Sequence, residues 1–216
     1  MTRDDRIREQ FRAWILDTEY PCVGAKAAFN SDAHEVHVYS QLVGSTSDLA
    51  RDLRSFACIE HPGEYATFIA IFRDSNAPTE ADFERLLWRQ LQRLHEIDSE
   101  NWDANVSSDP RDAHFSFSFA GRAFYVIGIH PNSSRQARRF PWTTLVFNPH
   151  EQFERLRGDG KWKRMQQTIR ERDTQLQGSI NPMLSDFGER SEAPQYSGRT
   201  VGADWEPPVG KCPFRH

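Results

Sequence analysis

A cysteine in the N-terminal part of the chain stands where a short helix is predicted to begin. Cys22 follows Pro21, which ends any regular element, and residues 22 to 29 have the composition of a short helix. A helix N-terminus lowers the pKa of a cysteine, and Lys26, one turn later, adds positive charge. The thiolate is the form that binds metal or attacks as a nucleophile, so Cys22 is the first candidate for chemistry. The alternative interpretation is a small buried residue packed behind Pro21.

Two histidines are candidates for nitrogen ligands. His130 precedes Pro131 and follows an apolar stretch, so it stands where a predicted strand stops. His150 falls in the first turn of a predicted helix, where the helix dipole keeps the imidazole neutral and able to bind metal. A structural role in packing or capping is the alternative for each. No HExxH, CxxC or two-histidine-one-carboxylate spacing points to zinc or non-haem iron.

A basic loop follows His130. It holds Arg135, Arg138 and Arg139. Arginine suits carboxylates because its planar guanidinium binds them in a bidentate manner. The three side chains therefore predict a site for a ligand that carries carboxylates, and a solvated surface loop is the alternative.

Hydrophobic periodicity is lost in the C-terminal segment, residues 178–216. Such a length without elements usually indicates disorder, but the segment holds Trp205 and Phe214, which a disordered chain seldom needs. We therefore predict an irregular segment that packs across the domain and closes a pocket. Its Cys212, in a Cys-Pro pair, competes with Cys22 as a metal ligand, the alternative being a tail cysteine without a role. Four of its polar residues are candidates to line a substrate pocket: Asn181, Tyr196, Ser197 and Arg199.

The elements that must position these groups follow from the periodicity of apolar residues. Helices are predicted over residues 4–16, 47–58, 79–95 and 160–176. Cys58 at the end of the second is expected in the core, Thr79 is expected to cap the third, and the fourth has an apolar stripe of Trp162, Met165 and Ile169. Strands are predicted over residues 36–42, 65–72, 115–119, 122–129 and 143–147. The strand 115–119 alternates Phe with Ser, so it is expected to be buried on one face only. The strand 122–129 is apolar on both faces and belongs inside a sheet. Asn148 is predicted to cap the next helix, with Pro149 at its first position and Glu151 completing a capping box.

The order of the elements predicts an α+β fold. Helices come first, then strands in consecutive hairpin-like runs, then helices, which favours a largely antiparallel central sheet flanked by helices. The 216 residues suffice for one domain with a real core, and no linker-like stretch divides the chain before residue 174. We predict a single domain over residues 1–216.

Composition and charge exclude several classes of protein. The net charge of −4 does not favour binding to nucleic acid. No run approaches the ~18 apolar residues of a transmembrane helix, so no membrane partner is expected. The first ten residues, MTRDDRIREQ, lack the apolar core of a signal peptide. Three widely spaced cysteines do not make a disulfide framework. Together these features predict a soluble protein of the reducing cytoplasm.

Several stretches resemble the YqcI/YcgG family of bacterial proteins. They are GRAFYVIGIHPNSSRQARRF, NPHEQFERLR, IRERDTQLQGSINPM and QYSGR, while YPCVGAKAAF and KCPFR resemble the two ends of the family pattern. The resemblance runs from about Tyr20 to Phe214. Characterised members are haem-dependent N-oxygenases that hydroxylate guanidine or amine nitrogens of arginine-like compounds. Many other members have no assigned activity.

The resemblance implies a haem b monooxygenase that acts on a small arginine-like molecule. Oxygen and an external electron donor would be its partners, since no flavin or nicotinamide fingerprint is present. Cys22 is expected to supply the axial ligand, because a thiolate pushes electron density onto the iron and favours O–O cleavage. His130, His150 and Cys212 are the alternative ligands, in that order.

The remaining groups take roles around the same cofactor. The arginines after His130 would bind the haem propionates, and Lys26 would support the thiolate. A cationic substrate also needs a carboxylate partner, for which three residues are available: Glu151, Glu189 and Glu192. Two other functions stay open, a haem-binding sensor or carrier without catalysis and a small-molecule binding module without haem.

Overall fold

A five-stranded sheet organises the fold. The computed structural model describes residues 1–60, 65–179, 188–208 and 214. The strands are β1 (His34–Tyr39), β2 (Thr67–Phe72), β3 (Phe117–Phe119), β4 (Arg122–Ile129) and β5 (Thr143–Pro149). Their order in the sheet is β1-β2-β5-β4-β3, and only β1 and β2 run parallel among these five. The predicted α+β class with a largely antiparallel sheet is confirmed.

Helices cover both faces of the sheet. They are α1 (Arg3–Leu16), α2 (Val23–Asn30), α3 (Thr46–Ala57), α4 (Glu80–Glu96), α5 (His150–Gly158) and α6 (Trp162–Gln177), with short 3-10 helices at Gln136–Arg138 and Ala193–Gln195. The hydroxyl of Thr79 caps α4 as predicted, accepting a hydrogen bond from the Asp82 amide at 3.1 Å. None of the helices in the described part of the chain combines the length and apolar content that a membrane crossing needs.

The side chains of β4 alternate between two separate cores. Phe124 and Val126 pack with α3 and α4 on one face, while Ile127 and Ile129 pack with α1 on the other. Gly128 lies under α4, where a Cβ would stand 2.6 Å from the ring of Phe83. The absence of a side chain therefore lets α4 approach the sheet closely. The prediction of an interior strand that is apolar on both faces is confirmed.

The C-terminal segment continues the sheet where β3 ends. β3 pairs only with the first three residues of β4, and beyond it the Gly128 amide donates to the Tyr196 carbonyl at 2.7 Å. The Tyr196 hydroxyl donates to the carbonyl of Phe124 at 3.3 Å and accepts from the amide of Phe117 at 3.2 Å. Phe214 is only 3% exposed, in the core on the α4 face. The described residues of the segment therefore pack against the domain.

A buried carboxylate on α4 holds this segment in place. Glu84, 3% exposed, accepts hydrogen bonds from the Ser197 hydroxyl at 3.2 Å and the Trp205 indole nitrogen at 3.0 Å. Its other oxygen pairs with the guanidinium of Arg199. The chain from 197 to 205 is therefore fixed to α4 through one side chain.

The predicted start of α5 is wrong. Asn148 does not cap the helix, because it pairs with Tyr125 in the β4–β5 ladder. β5 extends to Pro149, α5 begins at His150, and no side chain caps it. Glu151 pairs instead with Arg122, whose Nε lies 3.0 Å from the carboxylate. Ladder hydrogen bonds thus prevail over the local capping preference.

Two predictions of burial are also wrong. Cys58 is exposed rather than in the core, because it stands at the C-cap of α3 and beyond the buried face of that helix. The strand β3 is buried on both faces rather than one. The Asp103 amide donates to the Ser118 hydroxyl at 2.9 Å, so the preceding loop covers the polar side of β3.

Candidate functional site

A largely apolar cavity of about 240 Å³ lies on the α1/α2 face of the sheet and opens partly to solvent. The sheet and α1 supply six of its aliphatic and phenylalanine side chains. These are Phe11, Ile15, Ile69, Ile127, Ile129 and Val146. The α4 face of the sheet, by contrast, is filled by its own core.

Helix α6 forms the outer wall of the cavity. Its predicted apolar stripe is Trp162, Met165 and Ile169, and all three side chains line the cavity while remaining only half-buried. Asp173 continues the same stripe by one turn and is 6% exposed. The helix packs chiefly against α2, α5 and the 3-10 helix rather than on the sheet. Its apolar face thus meets a void instead of a packed core.

Cys22 lines this cavity at the N-terminus of α2, as the sequence predicts. Its Sγ accepts a hydrogen bond from the amide of Ala25 at 3.4 Å. Burial raises the pKa of the Cys22 thiol, outweighing the backbone amides of Ala25 and Gly24 and the charges of Arg138 and Lys26. The prediction of a lowered pKa is therefore wrong for the metal-free chain, because the apolar walls disfavour the anion more than the helix end favours it.

Lys26 does not join the cavity lining. Its ammonium donates to the carbonyl of Thr18 at 3.1 Å. Burial lowers the pKa of Lys26, with the nearby charge of Arg172 acting in the same direction. Its influence on Cys22 is the weakest of those that favour the thiolate.

The three arginines after β4 separate in space. Arg135 is 7% exposed and pairs with the Asp173 carboxylate, also donating to the Ser179 carbonyl at 2.9 Å. Arg138 lines the cavity, with Nη1 donating to the carbonyls of Gly128 and Tyr196 at 3.2 Å each. Arg139 is exposed, and its Nε donates to the Ser133 carbonyl at 2.9 Å. Of these three, only Arg138 presents a guanidinium to the cavity without a carboxylate partner in the described ranges.

His130 lies on the opposite face of the sheet. Its side chain is fully buried and stacks on Phe83 with ring centroids 4.4 Å apart. Neither ring nitrogen has a hydrogen-bond partner within the described parts of the chain. Burial lowers the pKa of His130 to about 4, and the charge of Arg138 acts in the same direction against that of Glu80. The ring is therefore neutral at physiological pH, and His130 is not part of the cavity lining.

His150 also stands apart from Cys22. It is 7% exposed in the first turn of α5, as predicted, and its Nε2 lies 3.4 Å from a carboxylate oxygen of Glu154. Burial lowers the pKa of His150. Because neither histidine lines the cavity, the structure does not bring the alternative nitrogen ligands to Cys22.

The described C-terminal candidates for substrate binding also lie outside the cavity. Tyr196 is fully buried on the α4 side of the cavity wall, and Arg199 pairs with Glu84, so neither lines the cavity. Asn181 and Cys212 lie outside the described residues.

Tyr125 and Asp173 are polar residues of the lining that were not singled out from the sequence. Tyr125 lines the cavity, and its hydroxyl donates to the side-chain oxygen of Gln195 at 3.1 Å. Burial raises the pKa of Tyr125. Its position could have been found, because it shares the alternation of Ile127 and Ile129. Asp173 could likewise have been found as the next position of the α6 stripe.

The structure separates the three candidate carboxylates. Glu192 is 8% exposed and lines the cavity. Glu151 pairs with Arg122, and Glu189 is exposed. Glu192 is therefore the one of the three that a ligand in the cavity could reach.

The side chains that line the cavity are of the chemical types that bind haem. Within the described ranges no group of three or more His, Cys, Asp and Glu side chains is placed to hold a metal ion, but haem iron takes only axial ligands from the protein. Cys22 offers one soft donor inside an apolar cavity, and Arg138 offers a guanidinium for a propionate. The volume of 240 Å³ lies below the roughly 300–1,000 Å³ of most ligand pockets, so haem requires an outward shift of a wall.

Comparison with known proteins identifies relatives along nearly the whole chain. It is 28% identical over 237 aligned positions to the uncharacterized protein YcgG of Bacillus subtilis strain 168, covering 98% of this chain and 92% of that protein. It is 27% identical to the uncharacterized protein YqcI of the same strain, covering 97% and 91% of the two chains. No solved structure matches at a significant level. The model of the YqcI/YcgG family matches residues 11–215, and the chain therefore belongs to that family.

Proposed function

We propose that this protein is a haem b-dependent monooxygenase that hydroxylates an amine or guanidine nitrogen of a small arginine-like molecule. Oxygen and an external electron donor are its co-reactants. The observation that carries the proposal is a single thiol, Cys22, at a helix N-terminus inside a largely apolar cavity. The sequence resemblance to haem-dependent N-oxygenases supplies the reaction class. A cytoplasmic setting, which keeps a cysteine ligand reduced, is part of the same proposal.

Cys22 would hold the iron as an axial thiolate. Bound haem would supply the oxygen activation, and the protein orients its ligand and its substrate. Burial keeps the thiol protonated in the free chain, so its proton leaves when the sulfur binds the metal. The Ala25 amide, 3.4 Å from Sγ, then stabilises the negative sulfur, and the guanidinium of Arg138 contributes at longer range.

The outer wall would move to admit the haem. α6 presents Trp162, Met165 and Ile169 to the cavity half-buried, and a flat apolar macrocycle would cover these side chains. The helix has few contacts with the sheet, so an outward shift breaks little of the core. Arg138 is the residue we assign to a haem propionate.

Glu192 would recognise the substrate. A guanidinium or ammonium group needs a carboxylate once it leaves water, and Glu192 lines the cavity. The carboxylates of Glu151 and Glu189 are placed elsewhere. Selection of a cationic nitrogen compound follows from this arrangement.

The volume of the cavity favours a second candidate function. At about 240 Å³ the cavity suits a ligand smaller than haem without any shift of α6. A small-molecule binding module without haem is the function that this observation supports. A haem sensor or carrier without catalysis would share the Cys22 site but lack turnover.

The deciding experiment is spectroscopic. Protein expressed with a haem precursor should carry close to one haem b per chain in a pyridine haemochrome assay. The reduced carbon monoxide complex should show a red-shifted, thiolate-type Soret band that is lost in Cys22→Ala. Cys58→Ala, which removes an exposed cysteine outside the cavity, is the matched control and should keep the band.

Other outcomes separate the alternatives. Colourless protein that takes up no haemin would exclude both haem functions and leave the binding module. An imidazole-type band that survives the loss of Cys22 would transfer the iron to a histidine. Haem-loaded protein that adds no oxygen atom to arginine or lysine analogues, given reductant and oxygen, would favour the sensor.

A further inference from the structure

A line of four aromatic side chains runs from the cavity to the protein surface. The ring centroids are 5.6 Å apart between Tyr125 and Tyr196, and 5.9 Å apart between Tyr196 and Trp88. Trp88 is followed by Trp205 at 5.7 Å. Tyr125 lines the cavity, Tyr196 and Trp88 are fully buried, and Trp205 is half-buried at the surface end. The line passes around the edge of the sheet where Tyr196 lies beside β4.

The four rings differ in what can accept their proton. The indole nitrogen of Trp205 donates to the Glu84 carboxylate at 3.0 Å. The hydroxyl of Tyr196 donates to a backbone carbonyl, and that of Tyr125 donates to the amide oxygen of Gln195. The indole nitrogen of Trp88 has no hydrogen-bond partner in the described chain. Of the four rings, only that of Trp205 donates to a carboxylate, the most basic of these partners.

This difference determines the direction in which oxidation passes along the line, from Tyr125 to Trp205. A phenol that loses an electron becomes a strong acid, so a tyrosine beside a carbonyl or amide oxygen has nowhere to place its proton. Indole can be oxidised without losing its proton. Trp88 can therefore be oxidised by Tyr196 and can in turn oxidise Trp205. The oxidised form of Trp205 is stabilised, because its indole proton moves to Glu84 and leaves a neutral radical. Burial raises the pKa of both tyrosines and so adds to the difficulty of deprotonating them.

We propose that Tyr125, Tyr196, Trp88 and Trp205 form a one-electron route that discharges an oxidant in the cavity to the surface when substrate is absent. The route rests on the proposed function, which places the oxidisable iron in the cavity. The oxidant class is a peroxide. With haem bound, hydrogen peroxide would take up two electrons and two solvent protons to give two water molecules, one electron supplied by the haem iron and one by Trp205. The external electron donor of the proposed function would then return both groups to their starting states. The proton of the Trp205 indole passes to Glu84. Cys22 is thereby spared from oxidation.

The first test uses haem-loaded protein treated with hydrogen peroxide without substrate and frozen rapidly for electron paramagnetic resonance. The wild type should show a neutral indole radical, and Trp205→Phe should lose it. Trp205→Phe should also bleach its haem and oxidise Cys22 several-fold faster, as measured by absorbance and peptide mass spectrometry. Glu84→Gln should replace the neutral radical by a short-lived radical cation, since its amide accepts no proton.

Trp102→Phe is the matched control. Trp102 is half-buried like Trp205, but its ring contacts are with His95, Phe115, Phe117 and Phe214 rather than with the line. The control should keep the radical and the slow bleaching. An indole radical that persists in Trp205→Phe, or that disappears equally in Trp102→Phe, would overturn the proposal.

A second test does not need haem. Phe153 lines the cavity, with its ring 5.9 Å from that of Tyr125. A ruthenium photo-oxidant attached to the cysteine of Phe153→Cys, in a Cys58→Ser background, therefore oxidises the line at its cavity end. Flash oxidation should give transient absorption of a neutral indole radical, absent in Trp205→Phe. If this radical forms in a protein that takes up no haem, the route is supported while the proposed function is refuted. Its absence would refute the route whether or not haem binds.

Discussion

The guanidinium of Arg135 and the carboxylate of Asp173 form an ion pair whose side chains are only 8% and 9% exposed. The pair joins the loop after β4 to α6. Arg135 also donates to the Ser179 carbonyl at 2.9 Å just beyond that helix. The contact fixes the outer wall of the cavity. Because the guanidinium of Arg135 already pairs with Asp173, it does not bind a haem propionate as the sequence predicts.

Removing Asp173 should loosen this wall. Asp173→Ala leaves a buried guanidinium without its anion, which costs about 3–5 kcal/mol in comparable pairs. Urea unfolding should show that loss, and hydrogen exchange should quicken along α6. Asp159→Ala, which removes an exposed carboxylate 3.9 Å from Lys161, is the control and should change stability by under about 0.5 kcal/mol. An unfolding free energy for Asp173→Ala within that same margin would contradict the anchoring role.

Arg138 and Arg139 should differ sharply in haem retention. A desolvated charge-assisted bond contributes about 1.5–3 kcal/mol, so Arg138→Ala should weaken haem affinity roughly ten- to a hundredfold. Arg139→Ala removes an exposed side chain outside the cavity and should leave affinity unchanged. Haemin titration gives both values. Since Arg138 also binds two carbonyls, unfolding curves must accompany the titration, and Arg138→Lys should restore part of the affinity. Equal affinities in the two alanine variants would remove the propionate assignment.

The thiol of Cys22 should react slowly with alkylating reagents. Because burial raises its pKa, iodoacetamide at neutral pH should alkylate exposed Cys58 much faster than Cys22. The rate at Cys22 should increase only at pH values above those at which an ordinary thiol ionises. Peptide mass spectrometry after timed labelling separates the two sites. Haem binding should then protect Cys22 and leave Cys58 unchanged; faster alkylation at Cys22 than at Cys58 would show that the helix end prevails after all.

His130 should make the fold sensitive to acid. Its pKa is about 4 in the folded chain and about 6.5 when unfolded, so between these values only the unfolded chain binds the proton. Stability should therefore be full above pH 6.5, decline as the pH falls and lose up to about 3 kcal/mol from this residue by pH 4. In His130→Leu the pH slope of the unfolding free energy should shrink across this window. His114→Gln, which changes an exposed histidine, should keep the wild-type slope.

A side chain at Gly128 should push α4 off the sheet. The added Cβ of Gly128→Ala would stand 2.6 Å from Phe83 and 2.7 Å from Leu87, and such overpacking costs about 1–3 kcal/mol. Gly158→Ala is a suitable control, since its Cβ would meet no atom within 4 Å. Thermal unfolding of the two variants measures the difference. A Gly128→Ala variant as stable as Gly158→Ala would mean that α4 adjusts freely.

The sequence predicts well what local periodicity decides. The alternation of β4, the capping of α4 by Thr79 and the position of Cys22 at the start of α2 all follow from residues close in the chain. These features require no knowledge of distant contacts. The apolar stripe of α6 was also correct, and it pointed to the cavity wall.

The site itself depends on contacts that no local pattern contains. Arg135, Arg138 and Arg139 are neighbours in sequence, but a turn of 3-10 helix sends them to three different surroundings. The sign of the Cys22 pKa shift depends on how apolar its distant neighbours are, and these come from α1, β4 and α6. Asn148 has the residue type of a helix cap but the ladder partner of a strand residue.

The hydrogen bond from Gly128 to Tyr196 also has a consequence for how the chain is made. Within the described chain, the outer edge of β4 beyond Phe124 is paired with Tyr196, which leaves the ribosome about seventy positions after that edge. During synthesis that edge has open amides and carbonyls, which are a template for pairing with another chain. Slow translation or truncation between residues 150 and 196 should therefore favour aggregation of nascent chains, and a chaperone that shields β4 would act in this interval.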